Sequence, residues 1–124
     1  MSAPPDGAAT IAPEALTLLR RIGGDGLVMR MVEAFLVQAP LRIERARSGF
    51  AADRAEDVRT SMHGLKSSSG QLGATRLAGL CAEIETRAGG GDLGSARSLL
   101  VELEMEWARV RDALRLEVRE AGTT

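Results

Sequence analysis

Residues 54–73 read RAEDVRTSMHGLKSSSGQLG, and the spacing of their apolar side chains decides the fold class. Ala55, Val58, Met62, Leu65 and Leu72 lie on one stripe at helical spacing, the signature of one face of an α-helix and not the alternation of a strand. A helix is therefore expected from Arg54 to about Leu72, with Gly73 ending it. Beside the apolar stripe runs a second one, Arg59, His63, Lys66, Ser67 and Gly70, which holds the chain's only histidine.

The same period continues on both sides. Upstream, Leu27, Val28, Met31, Val32, Phe35 and Leu36 define an amphipathic helix that Asp25 is placed to cap. Pro40 predicts a kink or brief break, with helix resuming to about Ala52. Before it, Pro13 opens a short helix, Glu14 to about Ile22, with Leu16, Leu19 and Ile22 at helical spacing, and Gly23 and Gly24 stop it. Residues 1–12, rich in Pro, Gly and Ala, read as a flexible leader.

Downstream, Thr75 or its neighbour opens a helix with Leu77, Leu80, Cys81, Ile84 and Ala88 facing inward. The GGGD run at 89–92 is a turn, with Asp92 placed to cap the next helix. A phosphate cradle there would need a preceding strand, and no strand pattern is present. One last helix is expected over about Leu93 to Val118, through Ala96, Leu99, Leu100, Leu103, Trp107, Val110 and Leu114, before a flexible tail at 121–124. Each helix has one apolar stripe and no strand to bury it against. The implied architecture is all-α: an antiparallel four-helix bundle over residues 13–120 with a short extra N-terminal helix.

Composition agrees and narrows the function. A chain of 124 residues suits one domain, and with two Phe, one Trp and no Tyr its core must come from aliphatic side chains and Ala. Sixteen basic and seventeen acidic residues, interspersed, argue against a nucleic-acid partner. No apolar run approaches the roughly 20 residues that cross a bilayer, and no signal peptide is apparent, so no membrane association is expected. A lone cysteine, Cys81, suits a reducing compartment, with cytoplasm as the expected location. One His and one Cys cannot build a metal site or a catalytic triad.

Any chemistry must then centre on His63. It follows Met62 by one residue, so on a 3.6-residue helix it lies beside the buried stripe, at least partly exposed. Lys66 and Ser67 are its neighbours at three and four residues, and Gly70 is on the same face at seven. Reversible phosphorylation of an imidazole asks for this combination. The ring must be reachable, small side chains at i+4 and i+7 leave it so, and a free imidazole, with pKa about 6.5, is largely neutral at cellular pH and keeps a nucleophilic lone pair. Lys66 can supply a counter-charge to the phosphoryl oxygens. Gly70 costs roughly 0.5 to 1 kcal/mol against Ala inside a helix. Close approach of a partner, tight helix packing or a weakening last turn would each account for it.

The segment His63-Gly64-Leu65-Lys66-Ser67-Ser68-Ser69-Gly70-Gln71-Leu72-Gly73-Ala74, followed by Leu77, Leu80, Cys81, Glu83, Ile84 and Glu85, resembles the signature of histidine-containing phosphotransfer (HPt) domains. Ala12 to Leu16, Gly23 to Asp25 and Phe35-Leu36 with Ala39-Pro40 extend the resemblance, which covers about residues 12–118. Ser67 stands where the family often has Gly, a change that keeps the site small and adds a hydroxyl that could donate to the phosphoryl group.

The resemblance implies that His63 is phosphorylated in a two-component phosphorelay, exchanging the group with aspartates of receiver domains on hybrid sensor kinases or response regulators. It implies Lys66 and Ser67 as phosphoryl-stabilising residues, Arg59, Gly64 and Gly70 as the access and docking surface, and Glu85 as the residue that orients the ring. No kinase or phosphatase activity, no cofactor and no metal are expected in this chain, since magnesium belongs to the receiver; a monomer is expected. The reading from another class is a helical-bundle adaptor that binds a signalling partner and carries no phosphoryl group.

Overall fold

In the computed structural model, which describes residues 10–122, the chain forms α1 (Pro13–Ala51), α2 (Ala55–Gln71), α3 (Thr75–Gly89), α4 (Leu93–Arg97) and α5 (Leu100–Gly122). The long arm of α1, α2, α3 and α5 form the expected all-α bundle, each antiparallel to the neighbours it packs on. Arg42 lies against Gly64, Glu85 pairs with Lys66, Arg76 with Glu106, and Arg20 near the start of α1 with Glu117 near the end of α5.

The core follows the stripes. Val28, Val32, Phe35, Ala39, Ile43, Ala46 and Phe50 of α1 meet Val58, Met62 and Leu65 of α2, Leu77, Cys81, Ile84 and Ala88 of α3, and Leu103, Val110 and Leu114 of α5. Trp107 packs edge-on against Phe35, ring centroids 5.6 Å apart at 69°. Glu106 is the inward exception on α5. Only 2% exposed, it is held by Arg109 at 2.7 Å and Arg76 at 3.4 Å, as a buried carboxylate must be.

The break in α1 falls at Gly23 and Gly24, whose backbone angles are non-helical, so the short N-terminal helix is residues 13–22, as its glycines predict. The bend expected at Pro40 is not a break: no residue near it leaves helical angles. Pro40 is exposed, and its neighbours Ala39 and Ile43 are buried. Core contacts on both sides of the ring outweigh the one lost backbone hydrogen bond.

The last segment departs the other way. It is two helices, because at Ser98 and Leu99 the backbone tightens. Leu99 N–H bonds to Ala96 O, three residues back, and the Ser98 hydroxyl donates to Ser95 O at 2.6 Å. Asp92 caps α4 by accepting from Ser95 N–H at 3.0 Å. Arg97 reaches back to donate to Phe50 O at 2.6 Å, securing the end of α1.

Of the expected leader, residues 1–9 lie outside the described residues, whereas Thr10, Ile11 and Ala12 are half-buried. Ala12 N–H donates to Gly73 O at 2.8 Å. Of the expected tail, α5 includes 121–122, and 123–124 lie outside. No helix among the described residues is long and apolar enough to cross a membrane.

Gly73 fastens the N-terminal arm to the turn between α2 and α3. Its φ is +81°, and a Cβ there would lie 2.8 Å from Ala15 Cβ and 2.9 Å from Ala12 O. Gly73→Ala should therefore lower unfolding free energy by about 1 to 3 kcal/mol, combining backbone strain with the clash. Urea denaturation checks this; unchanged stability would contradict it.

Candidate functional site

Packing sets the orientation of two residues that carry charge. Met62 and Leu65 are wholly buried, and His63, one step of about 100° past Met62, emerges on the flank with its side chain 62% exposed. On α3, Ile84 is wholly buried and Glu85, the next residue, turns toward α2, its side chain 17% exposed. Each polar residue directly follows a core residue, so burial of Met62 and Ile84 brings His63 and Glu85 together.

The Glu85 carboxylate spans two partners. Oε2 lies 2.8 Å from His63 Nδ1, and Oε1 lies 2.8 Å from Lys66 Nζ. Burial pushes the Glu85 pKa up, but hydrogen bonds from Lys66 and His63, with their charges, outweigh it, and the carboxyl sits below its ordinary value. An ionised carboxylate only accepts. Nδ1 therefore carries the hydrogen in this pair, and in the neutral ring the lone pair is left on Nε2.

Gly70 and Ser67 are exposed, and a Cβ on Gly70 would meet nothing within 4 Å. The flank beside His63 is open there, and tight helix packing is not the reason for this glycine. Lys66 is half-buried and bound to Glu85, which fixes its ammonium beside the ring. Arg59, one turn before His63, donates from Nε to Glu56 Oε1 at 3.0 Å and from Nη2 to Oε2 of the same carboxylate, so its fork is already occupied.

Gly64 differs from expectation. Its bare face is turned to α1, not to solvent: a Cβ there would overlap Arg42 Nη1 and lie 2.8 Å from Arg42 Cζ. The missing side chain makes room for Arg42, not for a docking partner. Arg42 itself has no signal in the local sequence, since only the packing of α1 on α2 brings this residue, 22 positions upstream, against Gly64. Cys81, one turn before Glu85, is wholly buried, and burial, followed by the Glu85 charge, pushes its thiol up to about 12. It is a packing residue without nucleophilic character.

The family model of the Hpt domain matches residues 30–113, well over half of the chain and the whole of this site. The chain belongs to the Hpt domain family. Among solved structures, this Hpt chain is similar to histidine-containing phosphotransfer protein B (HptB) from Pseudomonas aeruginosa PAO1, with a TM-score of 0.86 and 27% identity, covering 91% of this chain and 97% of that one. No curated protein sequence gives a significant match.

Glu85 also ties the site to acid stability. Its pKa is lower in the folded Hpt domain than in the unfolded chain, so its contribution is complete above the ordinary value of 4.5 and is lost as pH falls through the folded value. Glu85→Gln should flatten the fall in melting temperature across that acid range relative to the parent. Equal losses in both proteins would contradict the assignment.

Proposed function

We propose that this Hpt domain is a phosphoryl carrier in two-component signalling, accepting the group on His63 Nε2 from one receiver-domain aspartate and passing it to another. The supporting observation is the Glu85 carboxylate, which holds Nδ1–H at 2.8 Å and leaves the other ring nitrogen as an exposed nucleophile.

The Nε2 lone pair attacks the phosphorus of the aspartyl phosphate, and the bond from phosphorus to the carboxyl oxygen breaks. The electron pair leaves with that oxygen and regenerates the receiver's carboxylate. The ring keeps its Nδ1 proton and becomes cationic, and the adjacent Glu85 charge stabilises it as it forms. Lys66, fixed one turn away, faces the incoming phosphoryl oxygens, and Ser67 offers a hydroxyl from the same stripe. The reverse sequence returns the group to a second receiver.

Magnesium and the acidic pocket are supplied by the receiver, and this chain contributes only nucleophile, orientation and counter-charge. It acts as a carrier, without kinase or phosphatase turnover of its own, as a monomer in the cytoplasm. Receiver docking uses the open flank at Ser67 and Gly70 with Arg59 at its rim, a small transient patch.

Incubation with a phosphorylated receiver domain and magnesium should transfer acid-labile, alkali-stable label to the chain. His63→Gln should abolish it, and Glu85→Gln, which keeps an acceptor but loses the charge, should slow transfer about tenfold. ATP alone should give no label. Complex formation with a phosphorylated receiver but without label on the chain would overturn the carrier and leave an adaptor.

A further inference from the structure

Lys66 is paired with Glu85 and Arg59 with Glu56, so neither of the cations that flank His63 on α2 is free of a carboxylate. A phosphoryl group brings close to two negative charges into a site that already holds the Glu85 carboxylate. Lys66 is partly neutralised before the group arrives. The local balance calls for a further cation without a carboxylate of its own.

Arg42 of α1 meets that description. No hydrogen bond or ion pair engages it among the described residues, and its Nε is buried with no acceptor, an arrangement that costs free energy. Its guanidinium occupies the notch left by Gly64, with Cζ 2.8 Å from where a Cβ would stand. Gly64 adjoins His63, so that guanidinium carbon is within roughly 8 Å of the His63 Cα, given about 3.8 Å between successive Cα atoms. That Cα bears the imidazole, and Arg42, on a long flexible stem, is the α1 cation placed to swing from the notch toward a group on the ring. Room to move exists as well, because Arg42 lines a cleft of 420 Å³ between α1 and α2 whose walls include Thr60, Ser61 and the carboxylates of Glu44 and Asp57, neither of which bonds it.

We propose that Arg42 is the second cation of the phosphoryl site, leaving the Gly64 notch to bind the phosphoryl oxygens from the side of α1 while Lys66 stands on the side of α3. This rests on His63 being the phosphoryl acceptor. The planar fork matches two phosphoryl oxygens at once, which an ammonium does not, and the movement takes Nε out of its acceptor-less position.

The test needs no partner protein. Phosphoramidate serves as donor: Nε2 attacks its phosphorus, the P–N bond breaks, and ammonia leaves. Wild type, Arg42→Gln, Arg42→Lys and His63→Gln are treated alike and followed by ³¹P NMR, with melting temperature as a check on folding. In the loose transition state of hydrolysis the phosphoryl oxygens carry less charge than in phosphohistidine, so a bound cation slows loss of the group. Arg42→Gln should shorten the phosphohistidine half-life about threefold, the scale of a partly exposed ion pair, with Arg42→Lys restoring part of it. In wild type the Arg42 Nε–H resonance should shift on phosphorylation. An unshifted resonance, or a half-life in folded Arg42→Gln equal to wild type, would overturn the role of Arg42. Absence of phosphohistidine in wild type would instead overturn His63 as acceptor.

Discussion

One carboxylate organises the site. Glu85 accepts from the imidazole with one oxygen and from the Lys66 ammonium with the other, each at 2.8 Å, from a position mostly shielded from water. Shielding strengthens both interactions and makes an unpaired carboxylate there costly, so the three groups hold one another in place. Without this bridge the ring would rotate freely about its side-chain bonds and the nucleophilic nitrogen would have no fixed identity. With it, a single hydrogen bond sets ring orientation, tautomer and the charge that meets a cationic ring.

That bridge depends in turn on packing that has no polar component. Met62 and Ile84 are fully buried on facing helices, and His63 and Glu85 each follow them by one residue. Rotating α2 by one residue would bury the imidazole and expose Met62, exchanging apolar burial for desolvation of a polar ring. The aliphatic core thus fixes the angular position of the reactive group. The open flank has a similar origin: Gly70 and Ser67 project no bulk beside the ring, at a cost in helix propensity that the packed side of α2 offsets.

Much of this was legible in the sequence because helices report themselves locally. The stripe through Val58, Met62 and Leu65, the stop at Gly73, the glycine break at 23–24 and the Asp92 cap are near-neighbour patterns, and each stands where its spacing places it. His63 and Lys66 on one exposed face follow from the same period. Glu85 came from the family resemblance, and its contact with His63 is long-range. What spacing could not carry were balances between local preference and packing. Pro40 reads as a kink or brief break, yet with Ala39 and Ile43 buried beside it α1 stays helical through it. Leu93 to Val118 reads as one helix, yet the Ser98 hydroxyl and a three-residue backbone bond divide it. Gly64 reads as clearance for a partner, and what occupies that clearance, the Arg42 guanidinium, belongs to another helix. Glu106, which no spacing singles out, is held inward by Arg76 and Arg109, one of them on another helix.

The most direct measurement is the protonation state of the His63 ring nitrogens by long-range ¹H–¹⁵N correlation NMR at a pH where the imidazole is neutral. Hydrogen on Nδ1 and a lone pair on Nε2 is the expected result. A ring protonated on Nε2, or one exchanging evenly between tautomers, would contradict the central role given to Glu85.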